Sequence, residues 1–185
     1  MPLIPFADID TLPAKAREAF DRLPRKLNIF RLWANAPACF RQGVRLGGAI
    51  LGHQKLSAQL RELIILLTAQ EDGGAYEWHQ HVPIALAMGC TQSQIDALGR
   101  QDYGAACFDE KTRLALCFAS EVRTKVRASE QALRAAQVKF SAQELVEIIL
   151  TVGFYMTMAR LTETARVELD APGGTAVLVA LTKES

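Results

Sequence analysis

Histidine and cysteine are scarce in this chain, at three and four of 185 residues. No two of Cys39, Cys90, Cys107 and Cys117 form a C-x-x-C pair, and none joins a cysteine/histidine array with zinc spacing. That excludes a zinc ribbon and the dithiol arrangement common in redox proteins. Aromatics make up only 7% and the formal net charge is +1. Nowhere do basic and aromatic residues interleave densely, so no nucleic-acid partner is expected. No uninterrupted apolar run reaches the length of a membrane helix, and no membrane partner is expected either. The opening MPLIPFADID carries no basic residue ahead of its apolar ones, so it does not read as a secretory signal. A cytoplasmic location with reduced thiols is the resulting expectation. Cys117, inside the apolar LALCFA, is expected in the core.

Half of the residues are apolar, enough for one sizeable core, and the length suits one domain. Residues 1–170 are expected to form it, with 171–185 as a tail or an arm toward another subunit. Charge is uneven: residues 1–55 hold nine Lys/Arg against four Asp/Glu, and the remainder is acidic. Solvated helix faces explain this more simply than an anionic ligand. Apolar residues recur near a period of 3.6, which predicts an all-α protein. Helices are expected from Thr11 to about Leu23, over 28–36, and from Pro37 until it fades in LGGAILG. Others run from Ser57 to Glu71, Ala75 to Met88, Thr91 onward, Asp109 to about Val126, Ser129 onward, and Ser141 to about Leu169. Thr91 with Gln94 and Ser141 with Glu144 read as capping boxes. The tail APGGTAVLVALT is the only candidate strand. SAQLRELIILLTA and SAQELVEIILTVG resemble each other, each a capped apolar helix with an internal glutamate, Glu62 or Glu147.

Candidate chemistry concentrates in and before YEWHQHVP. On a helix, Glu77 and His81 stand one turn apart on one face, continued by Ile84, Ala85 and Met88. His79 points about 160° away from His81, so HQH is not a two-histidine metal face. Tyr76 and Trp78 flank the stripe. Pro83 leaves the His79 carbonyl without its usual donor and predicts a kink beside the site. Glu62 shares its side of the preceding helix with Ile65, Leu66 and Ala69. A carboxylate in such company needs a partner or a proton. Glu147 is a second buried-acid candidate.

The stretch RELIILLTAQEDGGAYEWHQHVPIALAMGCTQSQIDAL resembles the core of the carboxymuconolactone decarboxylase family, which includes the alkylhydroperoxidase D-like proteins. The later ELVEIILTVGFYMTMARLTETARVELD resembles its C-terminal helix. The resemblance covers about residues 35–170. It implies an alkylhydroperoxidase D-like helical fold with a duplicated helical core, assembled as a homo-oligomer, usually a trimer or hexamer. The redox branch of the family uses a glutamate, a C-x-x-C pair and a histidine four residues after the second cysteine. Glu62 and His81 match the glutamate and the histidine, whereas Gly74 and Glu77 occupy the cysteine positions. The dithiol peroxidase mechanism is therefore disfavoured.

The non-redox branch implies acid–base chemistry on a small lactone or carboxylic acid, as in decarboxylation, with no cofactor and no metal. Glu62, Glu77 and His81 are the expected catalytic residues, and Tyr76, Trp78 and Tyr155 the expected substrate contacts. Two alternatives remain. One is a non-catalytic homo-oligomer whose Glu62, Glu77, His81 and Tyr76 form a buried polar network. The other is a metal site built on Glu77, His81 and His53, for which the third ligand is a guess.

Overall fold

The computed structural model describes residues 2–125 and 127–175. Within them lie a short 3-10 turn, Ile9–Thr11, and nine α-helices, with no strand. These are α1 Ala14–Arg22, α2 Asn28–Trp33, α3 Pro37–Gly52, α4 Ala58–Asp72, α5 Ala75–Ala87, α6 Gln92–Gly99, α7 Glu110–Thr124, α8 Glu130–Gln137 and α9 Ala142–Ala165. The apolar AVLVAL of the tail, expected as a strand or subunit arm, lies outside the described residues.

Helix α4 is the axis of the molecule. Ten consecutive residues, Leu60 to Ala69, are buried, and α5, α6, α7 and α9 all pack against it. A mainly apolar helix buried on every side is stable only when it is surrounded, and each buried Leu or Ile contributes roughly 1.5–3 kcal/mol. Its start is capped by Ser57, whose hydroxyl accepts from the Leu60 amide at 3.2 Å. Its end is Gly73, in the left-handed region at φ 69°. Gly74 follows at once, so α5 folds back along α4 within two residues. That reversal brings the YEWHQH segment against Glu62.

Helix α9 is the other long element and packs on α4, α5, α7 and α2. By length and composition it could cross a membrane, but half of its most apolar stretch is buried inside the protein. It behaves as a core helix. Both predicted capping boxes form, at Thr91/Gln94 and Ser141/Glu144. Helix α9 stops at Ala165, earlier than Leu169, because Arg166 turns left-handed at φ 52°.

Three further sequence expectations change. Helix α3 does not fade in LGGAILG but continues to Gly52. Two of its glycines lie under aromatic rings: a Cβ on Gly43 would lie 2.0 Å from the Trp33 indole, and one on Gly47 would lie 3.0 Å from the Phe154 ring. The helix keeps these glycines to let two aromatic rings lie against its backbone. Cys117 is exposed rather than in the core. The residues that α7 buries are Ala115, Leu116, Phe118 and Ala119, and at 100° per residue Cys117 points the opposite way. Finally, α1 begins at Ala14, with Pro13 outside it and Ile9–Thr11 forming a separate turn.

The basic N-terminal part is largely absorbed locally. Arg17 pairs with Asp10 and Asp21, and Lys26 donates to the carbonyls of Phe20, Asp21 and Leu23 at the end of α1.

Candidate active site

Helices α4 and α5 bring Glu62 and His81 into direct contact, with Glu62 Oε2 2.8 Å from His81 Nδ1. Glu62 is fully buried. Its other oxygen accepts from the Nε of Arg61, also buried, at 3.3 Å. Glu62 does not reach the cavity described below, so it acts on His81 from behind. With Glu62 accepting, Nδ1 is the donor and Nε2 is the ring nitrogen turned toward the cavity. The ring packs edge-on against Tyr155, with centroids 4.9 Å apart and planes at 88°.

His81 and Glu77 both line a cavity of about 90 Å3 between α2, α3, α5 and α9. Its walls are mainly apolar, with Trp33, Phe154, Ile84 and Met158 among them. Glu77 is 3% exposed, and Thr162 Oγ1 lies 3.1 Å from each of its oxygens. Burial pushes its carboxyl up to about 7. Its own backbone amide, Thr162 and His81 work against that shift, and Glu163 adds to it. Glu77 also lies over Gly74, where a Cβ would stand 2.9 Å from its Oε2 and 3.0 Å from the Ala159 Cβ. The two positions at which the redox branch carries cysteines thus hold a carboxylate and the glycine that makes room for it.

Of the expected substrate contacts, Tyr76 and Tyr155 line the cavity and Trp78 does not. Trp78 packs against the main core on the other side of α5 and faces Gly99. It stands 100° from Glu77 on the helix, away from α9 and the cavity. Burial, together with its bond to Asp170, holds the Tyr76 hydroxyl far above its ordinary value. That hydroxyl donates to Asp170 and accepts from the Ile29 amide at 3.4 Å. Glu147 serves elsewhere: its carboxylate accepts from the amides of Lys55 and Leu56, both at 3.0 Å, and fixes the entry to α4. Among the described residues, no three His, Cys, Asp or Glu side chains converge as a metal site. His53 is the exposed residue that ends α3.

Cys90 is buried just beyond α5, with its Sγ 3.5 Å from the Gln59 carbonyl. Burial pushes its thiol up to about 12, and the charge of Glu62 adds to the shift. Such a thiol is a poor nucleophile.

Sequence reading missed the segment that closes the cavity. After α9 the chain returns across its mouth, and Gly173 and Gly174 line it. The Gly173 amide donates to Gln80 Oε1 at 2.8 Å, while Gln80 Nε2 donates to the Asp170 carbonyl at 3.2 Å. The Asp170 carboxylate also accepts from the Asn28 amide at 2.7 Å. Gln80 carried a signal, since it lies three residues beyond Glu77 on the same helix. Asp170 carried none, because nothing local links it to a tyrosine 94 positions earlier.

Fold and site together define an all-helical protein with a buried glutamate–histidine pair behind a small, mainly apolar pocket. Solved structures of the same architecture include an uncharacterised peroxidase-related protein from Ralstonia eutropha JMP134, described as an alkylhydroperoxidase AhpD core. It is 20% identical, with a TM-score of 0.77 over 98% of this chain and 96% of that one. A peroxidase-related protein from Silicibacter sp. TM1040 is 18% identical, with a TM-score of 0.75 over 91% and 90%. A variant of the debrominase Bmp8 in complex with 2,3,4-tribromopyrrole is 16% identical, with a TM-score of 0.73 over 98% and 96%. No curated protein matches the chain in sequence. The carboxymuconolactone decarboxylase family model matches residues 37–121, which include Glu62, Glu77 and His81. The matched stretch is similar to that family, and the helical fold is shared with the alkylhydroperoxidase AhpD-like structures.

Proposed function

We propose that the protein is a non-redox acid–base enzyme that moves a proton beside the carbonyl of a small lactone or a related carboxylic acid. The observation that carries this reading is the 2.8 Å contact between Glu62 and His81, which presents Nε2 as a base where the redox branch of the family has its relay to a thiol. Glu77, titrating near neutrality, supplies the acid.

In proton abstraction, Nε2 takes the proton from the carbon next to the carbonyl. The C–H electron pair moves into the carbonyl to form an enolate, and Glu77 in its acid form protonates the oxygen. The imidazolium that forms is held by the Glu62 carboxylate. Return of the proton to carbon gives exchange or isomerisation, and no oxidant or reductant is needed. In decarboxylation the electrons of the C–C bond take the same route. Carbon dioxide leaves, and the proton delivered to carbon comes from solvent through His81 or Glu77. The mainly apolar walls support both versions by excluding water from the enolate.

The test is incubation of five-membered lactones and their carboxylated derivatives in D2O, reading deuterium at the carbon beside the carbonyl and release of carbon dioxide. His81→Ala should lower either rate by about 10²–10⁴. Turnover indifferent to both His81→Ala and Glu77→Gln would overturn the proposal.

A further inference from the structure

The charge of the cavity wall is one-sided. The described residues that line it include Glu77 and His81 but no lysine or arginine. Glu62 stands directly behind His81, so the nearest fixed charges on that side are its carboxylate and that of Glu77. Arg61 does not line the cavity, and the one hydrogen bond its side chain makes is spent on Glu62. Of the remaining polar groups, Gln80 is engaged at both ends by Gly173 and Asp170, and the Tyr76 hydroxyl is engaged by Asp170. Besides the Glu77 carboxyl, two groups keep hydrogen-bonding capacity. They are His81 Nε2 and the hydroxyl of the buried, cavity-lining Tyr155, neither of which bonds to a described residue.

An anion entering this space would lose its hydration, face Glu77 and find no lysine or arginine in the lining. A carbonyl oxygen needs only a donor, and an apolar ring would meet Trp33, Phe30, Phe154, Ile84, Val44 and Met158. The size is restrictive as well. About 90 Å3 is less than the roughly 150 Å3 of a cavity that accepts benzene, which suits a single small ring. We infer that the cavity is built for an uncharged, small-ring carbonyl compound with an acidic C–H beside the carbonyl, a lactone or cyclic ketone, and that it discriminates against carboxylates. This narrows the acid–base reading to its proton-abstraction version, sets the decarboxylation version aside, and rests on that reading for the role of the C–H.

The test compares cyclopentanone with cyclopentanecarboxylate on the full chain at about pH 8. Binding is followed by ligand-observed NMR and by the His81 imidazole resonances. The ketone should bind at least about tenfold more tightly. Glu77→Gln, which keeps the shape and removes the charge, should narrow that gap about fivefold or more. If that variant fails to fold, lowering the pH of the wild-type protein to about 6 should narrow the gap in the same direction by protonating Glu77. Equal or tighter binding of the carboxylate overturns the inference, as does failure of both ligands to perturb His81, or a gap that neither charge removal nor acid changes. Ketone binding without deuterium uptake from D2O upholds the ligand class and refutes the proton-transfer reading instead.

Discussion

Glu77 makes a pH-dependent demand on stability that one substitution isolates. Its carboxyl is raised from 4.5 to about 7 in the folded protein, chiefly by burial. Below the ordinary value, the group is protonated in both folded and unfolded chains and contributes no pH dependence. Between about 4.5 and 7 the unfolded chain releases its proton and the folded protein keeps it, so stability falls as pH rises. Above about 7 both forms are ionised and the loss is complete. A shift of this size corresponds to about 3 kcal/mol. Glu77→Gln keeps a hydrogen-bonding group opposite Thr162 and removes the titration. The difference in unfolding free energy between wild type and Glu77→Gln, from urea denaturation at steps between pH 4 and pH 8, should move by about 3 kcal/mol in favour of the variant. His81 lies one turn away and Glu163 nearby, so the midpoint should shift when His81 is replaced. A difference that stays flat within about 0.5 kcal/mol across that range would refute the assignment of a buried, proton-retaining carboxyl.

Glu62→Gln should cost about 3–5 kcal/mol in urea denaturation, because it leaves the buried Arg61 guanidinium without its anion; a loss below about 1 kcal/mol would show the pair to be incidental. Gly74→Ala should cost about 1–3 kcal/mol, since the new methyl would press on Glu77 and Ala159, and the penalty should shrink in a Glu77→Ala background. On α9, Val146, Ile149 and Leu150 are 53%, 43% and 48% exposed at i, i+3 and i+4, an apolar stripe that should seat another copy. Light scattering should therefore find an oligomer at micromolar concentration that the double substitution Ile149→Asp, Leu150→Asp dissociates; a wild-type monomer would contradict this. A peroxidase assay with a dithiol reductant should give no turnover, and alkylating the exposed Cys39 and Cys117 should leave native function intact. Turnover abolished by a Cys→Ser substitution would refute the acid–base reading.

Much of this protein was determined by local rules acting within a few residues. The helical period, the hydroxyl caps at Ser57, Thr91 and Ser141, and the Gly73–Gly74 reversal each depend on neighbours along the chain, so they are readable in sequence order. The Glu77–His81 face follows from helix geometry alone. The pairing of Glu62 with His81 was legible for a similar reason: two apolar helices joined by a two-residue turn have few ways to pack, and a buried carboxylate must find a partner.

Tertiary structure decided what local rules do not reach. Tyr76 and Trp78 are indistinguishable as flanks of one stripe. Only the positions of α9 and the main core send the first to the cavity and the second away from it. Cys117 sits in an apolar run, yet α7 has one buried face and that residue falls on the other. Glu147 looked like the counterpart of Glu62, but its helix places it over the loop before α4, where two free amides claim it. The closure of the cavity by Gly173, Gln80 and Asp170 depends on contacts 90 or more residues apart. No periodicity records such contacts, because they exist only once the core has brought α5 and the segment after α9 together.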